Sequence, residues 1–327
     1  MAMKENKNDN SHTKLVKKTF WVRLREEKFL QFMAICGVIW MIIFNYIPMY
    51  GLLIAFKKNF YITTPLFSSK FFKTPWATNH GFQHFLAFFK DEEFVNIITN
   101  TLGISLIKLA VCFTLPIVFA LLLNEVRSVR FKKAIQTITY MPHFLSWVVL
   151  GGILTTWLGE TGLFNQILGK LGVLTEPVTF LAYPKYFWPI VIVSDLWKEL
   201  GWNAIIYLAA ISGIDQEMYE AARVDGANRW RQIWSITLPS IAPTITILFI
   251  LNIGGLLNSN FDQILVLWNP LNNARSNVID LYVYSAAMRG MRYSYASAIG
   301  LFKSVIAFVL LFFANKVTNK LNDTSLF

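Results

Sequence analysis

The chain has 327 residues, of which 55% are hydrophobic and only 15% are charged. An ordinary soluble domain carries about 25% charged residues, so this composition excludes a water-soluble globular protein and indicates an integral membrane protein. The formal net charge of +11 does not indicate a nucleic-acid partner, because the basic residues lie mainly between apolar stretches and not along one continuous face.

Six apolar stretches are long enough to cross a bilayer as helices, which takes roughly 20 residues each. An open strand would leave its backbone groups unpaired in lipid, so each stretch is predicted to be helical. The stretches are residues 29–56, 96–124, 137–158, 188–211, 236–257 and 298–316. The predicted fold class is therefore all-α, with residues 29–327 forming one six-helix transmembrane domain. Cys36 and Cys112 both fall within these stretches and are predicted to be small core residues.

The distribution of Lys and Arg predicts the orientation of these helices. The N-terminal segment and the connectors on its side hold seventeen, the opposite connectors hold ten, and three lie within spans. Because cytoplasmic loops are enriched in basic residues, both termini are predicted to be cytoplasmic. Residues 1–28 are predicted to be a cytoplasmic segment with an interfacial helix that places Trp21 at headgroup depth. A cleaved signal peptide fits poorly, since the following apolar run is too long.

The connector between the fourth and fifth spans, residues 212–239, carries the most specific pattern in the chain. Asp215 is a good N-cap for a short helix, and Gly226 permits a sharp bend after Asp225. Pro239 lies near the start of the fifth span, where its missing N–H costs little. The pattern predicts a helix–turn–helix on the cytoplasmic membrane face.

This connector resembles the cytoplasmic loop of type I ABC importer permeases, in which Glu-Ala-Ala and Gly precede Ile-x-Leu-Pro. The matching positions are Glu220, Ala221, Ala222, Gly226, Ile236, Leu238 and Pro239. The resemblance implies that the loop docks a separate ATPase, with small Ala residues allowing close packing and Glu220 able to pair with a basic group. The implied contact set also includes Arg223, Asp225, Ala227 and Trp230. The alternative is an incidental amphipathic connector that is rich in Ala.

Further stretches resemble the oligosaccharide and polysaccharide branch of these permeases. They are residues 45–51, 100–102, 121–127, 140–144, 195–202 and 261–264, and the likeness departs mainly at 272–295. The resemblance implies a multi-pass protein of the bacterial cell membrane that imports an oligosaccharide. It also implies four kinds of partner: a second homologous permease subunit in a heterodimer, two ABC ATPase subunits, an extracellular lipoprotein solute-binding protein, and the lipid bilayer.

Polar residues within the third to fifth spans are candidates for a substrate path, because ionisable groups in a membrane usually face a bundle interior or a watery cavity. Asp195, Glu199 and Trp202 are spaced for one helical face, and Lys198 is adjacent. Hydrogen-bonding groups beside an indole suit a sugar, whose hydroxyls and C–H faces they can both meet. By resemblance, these spans line the translocation cavity, which adds four candidates. The four are Trp147, Asn252, Asn258 and Ser259.

An intramembrane ion network that pins this subunit to its partner is the alternative interpretation of Asp195, Lys198 and Glu199. The two carboxylates would repel each other unless Lys198 or a partner cation lay between them. Lys108 and Lys303 also fall within spans, where their long stems can reach towards a polar region, and no role is predicted for either.

Catalytic and metal sites are not predicted. The four histidines are scattered, and His80 and His84 stand four apart in an external connector, where a solvated loop is the simpler interpretation. No Gly-x-x-x-x-Gly-Lys sequence occurs, so ATP and Mg²⁺ are expected on the partner ATPase and no cofactor is expected on this chain. Two other functions stay open: an ion-coupled secondary transporter that uses the charges of the fourth span as a relay, and an ABC permease for a non-sugar solute.

Overall fold

The computed structural model describes residues 28–60, 65 and 67–322, with side chains to residue 319. The interfacial helix predicted around Trp21 lies outside these residues. Within them, the regular structure is helical, apart from one isolated bridge between Lys57 and Trp76. The predicted all-α fold class is confirmed.

The chain divides into two units, Met1–Leu52 and Leu53–Phe327. In the first unit, helix α1 (Lys28–Met41) continues through a π-helical turn, Ile42–Tyr46, and a short α-turn, Ile47–Met49. A 3₁₀ segment, Tyr50–Phe56, completes the helical run.

The second unit contains the remaining helices. Those before the middle of the chain are α2 (Ser69–Lys73), α3 (Gln83–Phe89), α4 (Phe94–Asn124), α5 (Val129–Tyr140), α6 (Trp147–Trp157) and α7 (Leu163–Lys170). Those that follow are α8 (Pro184–Ser212), α9 (Gln216–Val224), α10 (Arg229–Gln232), α11 (Leu238–Gly254), α12 (Phe261–Leu267), α13 (Asn273–Ser276), α14 (Ile279–Tyr284) and α15 (Tyr293–Asn322).

Four helical segments in the described part of the chain are long and apolar enough to cross a membrane. They are Lys28–Phe56, Phe94–Asn124, Arg229–Gly254 and Tyr293–Asn319, which match the predicted first, second, fifth and sixth spans. Helix α8, the predicted fourth span, is 29 residues long. It is less apolar than these four because Asp195, Lys198 and Glu199 all lie in its central part.

The prediction of one straight helix over residues 137–158 is wrong. A 3₁₀ turn, Met141–Phe144, follows α5, and the two helical halves meet at an angle of 100°. Pro142 lies in this turn, and the Ser146 side chain accepts a hydrogen bond from the Val149 N–H at 3.3 Å, which starts α6 in a new direction. At about 1.5 Å per residue, α6 alone is too short to cross the hydrocarbon core, so the two halves can only span it together.

The packing around α8 organises the second unit. Helix α8 lies along α4, and one cluster of buried apolar residues joins both to α6 and α12. Ile104, Leu150, Phe187 and Ile264 are fully buried in that cluster. A second cluster joins α4 and α8 to α11 at the other end of the helices, with Ala204 and Ile241 at its centre. These two clusters fix the helices that carry the polar residues described below.

Asp91, which precedes α4, joins the start of that helix to α14 and α15. Tyr282 and Tyr295 donate hydrogen bonds to Asp91 Oδ2 at 2.5 and 2.9 Å. Burial raises the pKa of this carboxyl. Hydrogen bonds from Tyr282, the Glu93 backbone N–H and Tyr295, together with the charge of Arg292, lower the pKa by more than burial raises it. The net result is a pKa below the ordinary value, so Asp91 is an ionised acceptor at neutral pH.

Gly201 allows α8 to approach α5 closely. A Cβ atom at this position would lie 2.4 Å from the Thr139 carbonyl oxygen, a backbone atom that cannot turn aside. We expect Gly201→Ala to lower the free energy of unfolding by about 1–3 kcal/mol, because the two helices must separate. Denaturant titration of the protein in detergent micelles measures this change.

Gly152→Ala is the matched control for this prediction. Gly152 lies in α6, and no atom lies within 4 Å of the position its Cβ would occupy. This control is expected to leave stability unchanged or slightly higher, since Ala is the better helix former. Equal stability of the two variants would contradict the close approach of α5 and α8.

Candidate functional site

A polar cavity of about 270 Å³ lies between α4, α8, α11 and the segment that precedes α12. Its polar lining residues are Ser105, Lys108, Asp195, Glu199, Asn203, Asn252, Asn258 and Asn260. Four of the residues predicted from sequence are in this lining: Asp195, Glu199, Asn252 and Asn258. The cavity is therefore a polar space between helices whose other faces are apolar.

Asp195 is neutralised by Lys108, a residue for which the sequence predicts no role. The Lys108 Nζ atom lies 3.3 Å from Asp195 Oδ1, with both side chains less than 15% exposed. The Asn260 side chain donates a further hydrogen bond to the same oxygen at 3.1 Å. Since Lys108 belongs to α4, this pair joins α4 to α8.

Gln263 extends the pair into the core. Lys108 donates to Gln263 Oε1 at 2.6 Å, and the Gln263 amide nitrogen donates to the Val191 carbonyl and to Ser194 Oγ, each at 2.8 Å. Gln263 is fully buried, so its bonds are not shared with solvent. The result is a continuous polar network that connects α4, α8 and α12.

Glu199 is neutralised separately. Lys198 Nζ lies 3.1 Å from Glu199 Oε1, and His143 Nδ1 lies 2.7 Å from Glu199 Oε2. Lys198 also donates to the His143 carbonyl oxygen at 2.5 Å. Because His143 lies in the 3₁₀ turn between α5 and α6, this group binds α8 to the break between those two helices.

Each carboxylate of α8 thus has its own lysine. The sequence left open whether Lys198 or a partner cation lay between Asp195 and Glu199, and the structure instead places Lys198 on Glu199 alone. Lys108 compensates Asp195 from another helix. An ionisable residue in the middle of an apolar span is costly without a partner, which is the signal that could have singled out Lys108.

The other predicted residues lie beside the cavity and not in its lining. Trp202 stacks on His143, with ring centroids 4.0 Å apart and planes 3° apart. Trp147 lies 5.7 Å from Lys198 Nζ, measured to its ring centroid. Ser259 is buried, and its Oγ has no hydrogen-bond partner among the described residues. His143 was missed as a site residue, although it occupies the Tyr-Met-Pro-His-Phe sequence at the break.

The α8–α11 loop, residues 212–239, folds as a helix–turn–helix, as the sequence predicts. Asp215 caps α9 by accepting a hydrogen bond from the Glu217 N–H at 3.0 Å. Gly226 follows with a φ of +77°, a conformation that favours glycine. Asn228 then caps α10, which continues through the π-helical turn Ile233–Thr237 into α11. Each turn of the loop is therefore set by a local polar or glycine residue.

Burial divides the predicted coupling residues into two groups. Those exposed to solvent are Glu220, Ala221, Arg223, Asp225, Gly226, Trp230 and Pro239. Ala222, Ala227 and Leu238 are half-buried, while Ile236 is buried in the cluster shared by α4, α8 and α11. The exposed residues are available to another protein, and Ile236 holds the loop on the helices beneath it.

Two polar contacts also hold this loop in place. The hydroxyl groups of Tyr219 and Thr237 lie 2.9 Å apart and join α9 to the turn before α11. Arg229 forms a salt bridge of 2.7 Å with Glu125, which follows α4. Movement of the loop would therefore be transmitted to α4 and α11.

Metal ligation receives no support from the residues that the structure describes, since they contain no group of three or more His, Cys, Asp or Glu placed to hold an ion. His84 Nε2 instead lies 2.9 Å from the Lys57 carbonyl oxygen, and His80 adopts a positive φ just before α3.

Residues 115–323 match the family model described as "Binding-protein-dependent transport system inner membrane component". The chain is 40% identical over 305 residues to protein LplB of Bacillus subtilis strain 168, covering 93% of this chain and 92% of that protein. It is 38% identical over 312 residues to the polygalacturonan/rhamnogalacturonan transport system permease protein YteP of the same strain, covering 95% and 94%.

Solved structures are also similar. One is the crystal structure of a bacterial alginate ABC transporter in complex with an alginate pentasaccharide-bound periplasmic protein. A chain of that structure matches with a TM-score of 0.84 and 38% identity, over 94% of this chain and 100% of that chain. These matches support an ABC importer permease over the ion-coupled secondary transporter that the sequence left open. The chain belongs to the family of binding-protein-dependent transport system inner membrane components, as a multi-pass permease subunit of an ABC importer in the cytoplasmic membrane.

Proposed function

We propose that this permease carries an oligosaccharide, delivered by an extracellular lipoprotein solute-binding protein, through the cavity between α4, α8 and α11 into the cytoplasm. The relatives support the solute class: YteP is described as a polygalacturonan and rhamnogalacturonan transporter, and the matching structure holds alginate on its periplasmic protein.

The observation that carries the proposal is a pair of side-chain amides in the cavity wall whose hydrogen-bonding groups have no partner among the described residues. The side chains of Asn203 and Asn258 line the cavity and form no hydrogen bond with any described residue. The Asn252 amide nitrogen donates to the Leu248 carbonyl at 2.9 Å, which leaves its oxygen free to accept. An amide offers both donors and an acceptor, which matches the hydroxyl groups of a sugar.

The charged residues of the cavity act differently in this proposal. Asp195 and Glu199 are each compensated by a lysine, so they add no uncompensated charge to the wall. We propose that they position the helices, and that Lys198, Trp147, Trp202 and Ser259 shape the wall from behind. The solute then meets mainly neutral hydrogen-bonding groups.

The proposal includes the remaining parts of the importer. A second homologous permease completes the cavity in a heterodimer, and two ABC ATPase subunits bind ATP and Mg²⁺ and hydrolyse the nucleotide. The chain has a cytoplasmic segment, residues 1–28, and a six-span domain, residues 29–327, with both termini inside. The broken α5–α6 segment is the third span and α8 is the fourth.

The exposed face of α9 is the proposed docking site for the ATPase. Met218 is 47% exposed and Val224 is 88% exposed, next to the small side chain of Ala221 and the carboxylate of Glu220. An exposed apolar tip with a flanking charge suits insertion into a groove of another protein. ATP-driven movement of that groove would pull the α8–α11 loop, and with it α4 and α11.

The first prediction of this proposal concerns the solute. In the complete transporter reconstituted with its binding protein, Asn203→Leu combined with Asn258→Leu should reduce oligosaccharide uptake by about thirtyfold, since two hydrogen bonds contribute about 1 kcal/mol each. Uptake of oligosaccharides cut from polygalacturonan, rhamnogalacturonan and alginate is the measurement, with ATP hydrolysis in the absence of solute as the check that coupling is intact.

Gln166→Leu, in the exposed external helix α7, is the control and should leave uptake unchanged. Import of an amino acid or a metal ion, with no import of any glycan, would overturn the solute class. It would not overturn the assignment as a permease.

A second prediction separates positioning from direct solute binding at Asp195. Asp195→Asn leaves Lys108 buried without its counter-charge, so we expect a loss of stability of about 2–3 kcal/mol, somewhat below the value for a fully buried pair. Combining it with Lys108→Met should recover most of the stability and most of the solute affinity. Recovery of stability without recovery of affinity would show instead that the Asp195 carboxylate contacts the solute.

A third prediction concerns the α8–α11 loop. Glu220→Arg reverses the charge on the exposed face of α9, and Gly226→Arg forces a side chain into a φ that costs about 1–2 kcal/mol for an L-residue. Each variant should lower both uptake and solute-stimulated ATP hydrolysis by about tenfold or more. Glu92→Arg, on an exposed external residue, is the matched control. Unchanged uptake and ATP hydrolysis in the two loop variants would contradict the coupling role.

A further inference from the structure

A second and larger cavity, of about 940 Å³, lies between the α8–α11 loop and the turn that joins α4 to α5. It is separate from the translocation cavity, with which it shares no lining residue. Its volume falls within the range of about 300–1,000 Å³ that is usual for small-molecule sites. Arg223 and Ala227 of the predicted coupling set line this cavity, whereas Met218, Glu220, Ala221 and Val224, which we propose to dock the ATPase, do not.

The charge of the lining is strongly unbalanced. Arg127, Arg223 and Arg229 line the cavity, and Glu125 is the carboxylate among the lining residues. Glu125 is already paired with Arg229 at 2.7 Å. Among the residues that the structure describes, Arg127 and Arg223 form no salt bridge and no side-chain hydrogen bond. Two guanidinium groups therefore face one cavity without a counter-charge.

Arg223 is exposed to solvent and lies on the side of α9 that lines the cavity. Gln216, Tyr219 and Arg223 are spaced at i, i+3 and i+7 on α9, and all three line the cavity. The Tyr219 bond to Thr237 fixes the rotation of this helix. Met218 and Val224, which we propose to meet the ATPase, are absent from the lining. The helix thus presents an apolar and acidic face outward and an arginine face inward.

We propose that this cavity binds a phosphate-bearing anion. Arginine presents a planar fork of donors that matches phosphate oxygens in a bidentate manner, which makes paired arginines a better fit to phosphate than to a simple halide ion. Gln216, Asn228 and Gln232 line the same cavity and supply further amide groups for phosphate or for the group that it carries. The phosphate can belong to a soluble phosphorylated compound or to the headgroup of an anionic lipid.

Occupancy would affect how the loop moves. Arg127 belongs to the α4–α5 turn and Arg223 to α9, so one anion held by both would tie the loop to the helices beneath it. The Arg229–Glu125 salt bridge already makes one such link. A bound phosphate would add a second link whose presence depends on ligand concentration.

The test uses the complete transporter in phosphatidylcholine nanodiscs, with the ATPase sites filled by a non-hydrolysable ATP analogue. Calorimetric titration with inorganic pyrophosphate is expected to show saturable binding, and Arg127→Gln should weaken it by about tenfold or more, because a hydrogen-bonded charge pair is lost. Arg127→Lys, which keeps the charge and loses the fork, should give an intermediate affinity. A parallel sample in phosphatidylglycerol nanodiscs is analysed by native mass spectrometry for retained lipid.

Arg130→Gln is the matched control, because Arg130 is an exposed arginine three residues further on and does not line the cavity. Arg127-dependent binding of pyrophosphate alone assigns the site to a soluble anion, and Arg127-dependent retention of phosphatidylglycerol alone assigns it to a headgroup. The proposal is overturned if the wild type binds neither probe, or if Arg130→Gln weakens binding as much as Arg127→Gln does. Thermal unfolding of each variant verifies that it is folded.

Discussion

Helix α8 crosses an apolar environment with two carboxylates on it, and the need to neutralise them organises the second unit of the chain. An unpaired charge in such surroundings costs several kcal/mol, so each carboxylate requires a cation within a few ångströms. Lys108 provides it for Asp195 from α4, and Lys198 provides it for Glu199 from α8 itself. Because the first pair joins two helices, electrostatic compensation and helix packing are achieved by the same contact.

The break between α5 and α6 depends on the same constraint. A helix that stops at the Met141–Phe144 turn exposes carbonyl groups that have no partner within the helix. Lys198 donates to the carbonyl of His143 at this point, and the His143 ring reaches Glu199. The interrupted backbone and the charged side chains of α8 therefore satisfy each other. The break is stabilised by α8, and α8 keeps its charges because the break supplies a partner.

Much of this could be predicted from sequence, and the limits are physical. The apolar runs predict where helices cross a membrane, since length and hydropathy decide that locally. The α8–α11 loop was also predictable, because Asp215 and Gly226 act on their immediate neighbours. The break at Pro142 was missed, since an apolar run of ordinary length conceals a change of direction. The partners of Asp195 and Glu199 were missed because Lys108 and His143 are distant in sequence, and pairing across helices leaves no periodic signal.

The candidate site shows the same division. Asp195, Glu199, Asn252 and Asn258 were predicted because polar residues in spans are few and noticeable. Trp202 was predicted because it lies on the same helical face as Asp195 and Glu199, but residues on one helical face can still point in different directions. A small difference in direction places its ring on His143 instead of in the cavity lining.

Gly201 has a mechanical consequence for a transporter. Where two helices pack backbone against backbone, they have little freedom to slide or rotate past each other, and Thr139 and Gly201 are in such contact. Helices α5 and α8 therefore belong to one rigid block. The contacts of Glu199 with Lys198 and His143 also stabilise it. Alternating access in transporters proceeds by rocking of rigid blocks. The boundary that opens must then lie outside the contact between these two helices.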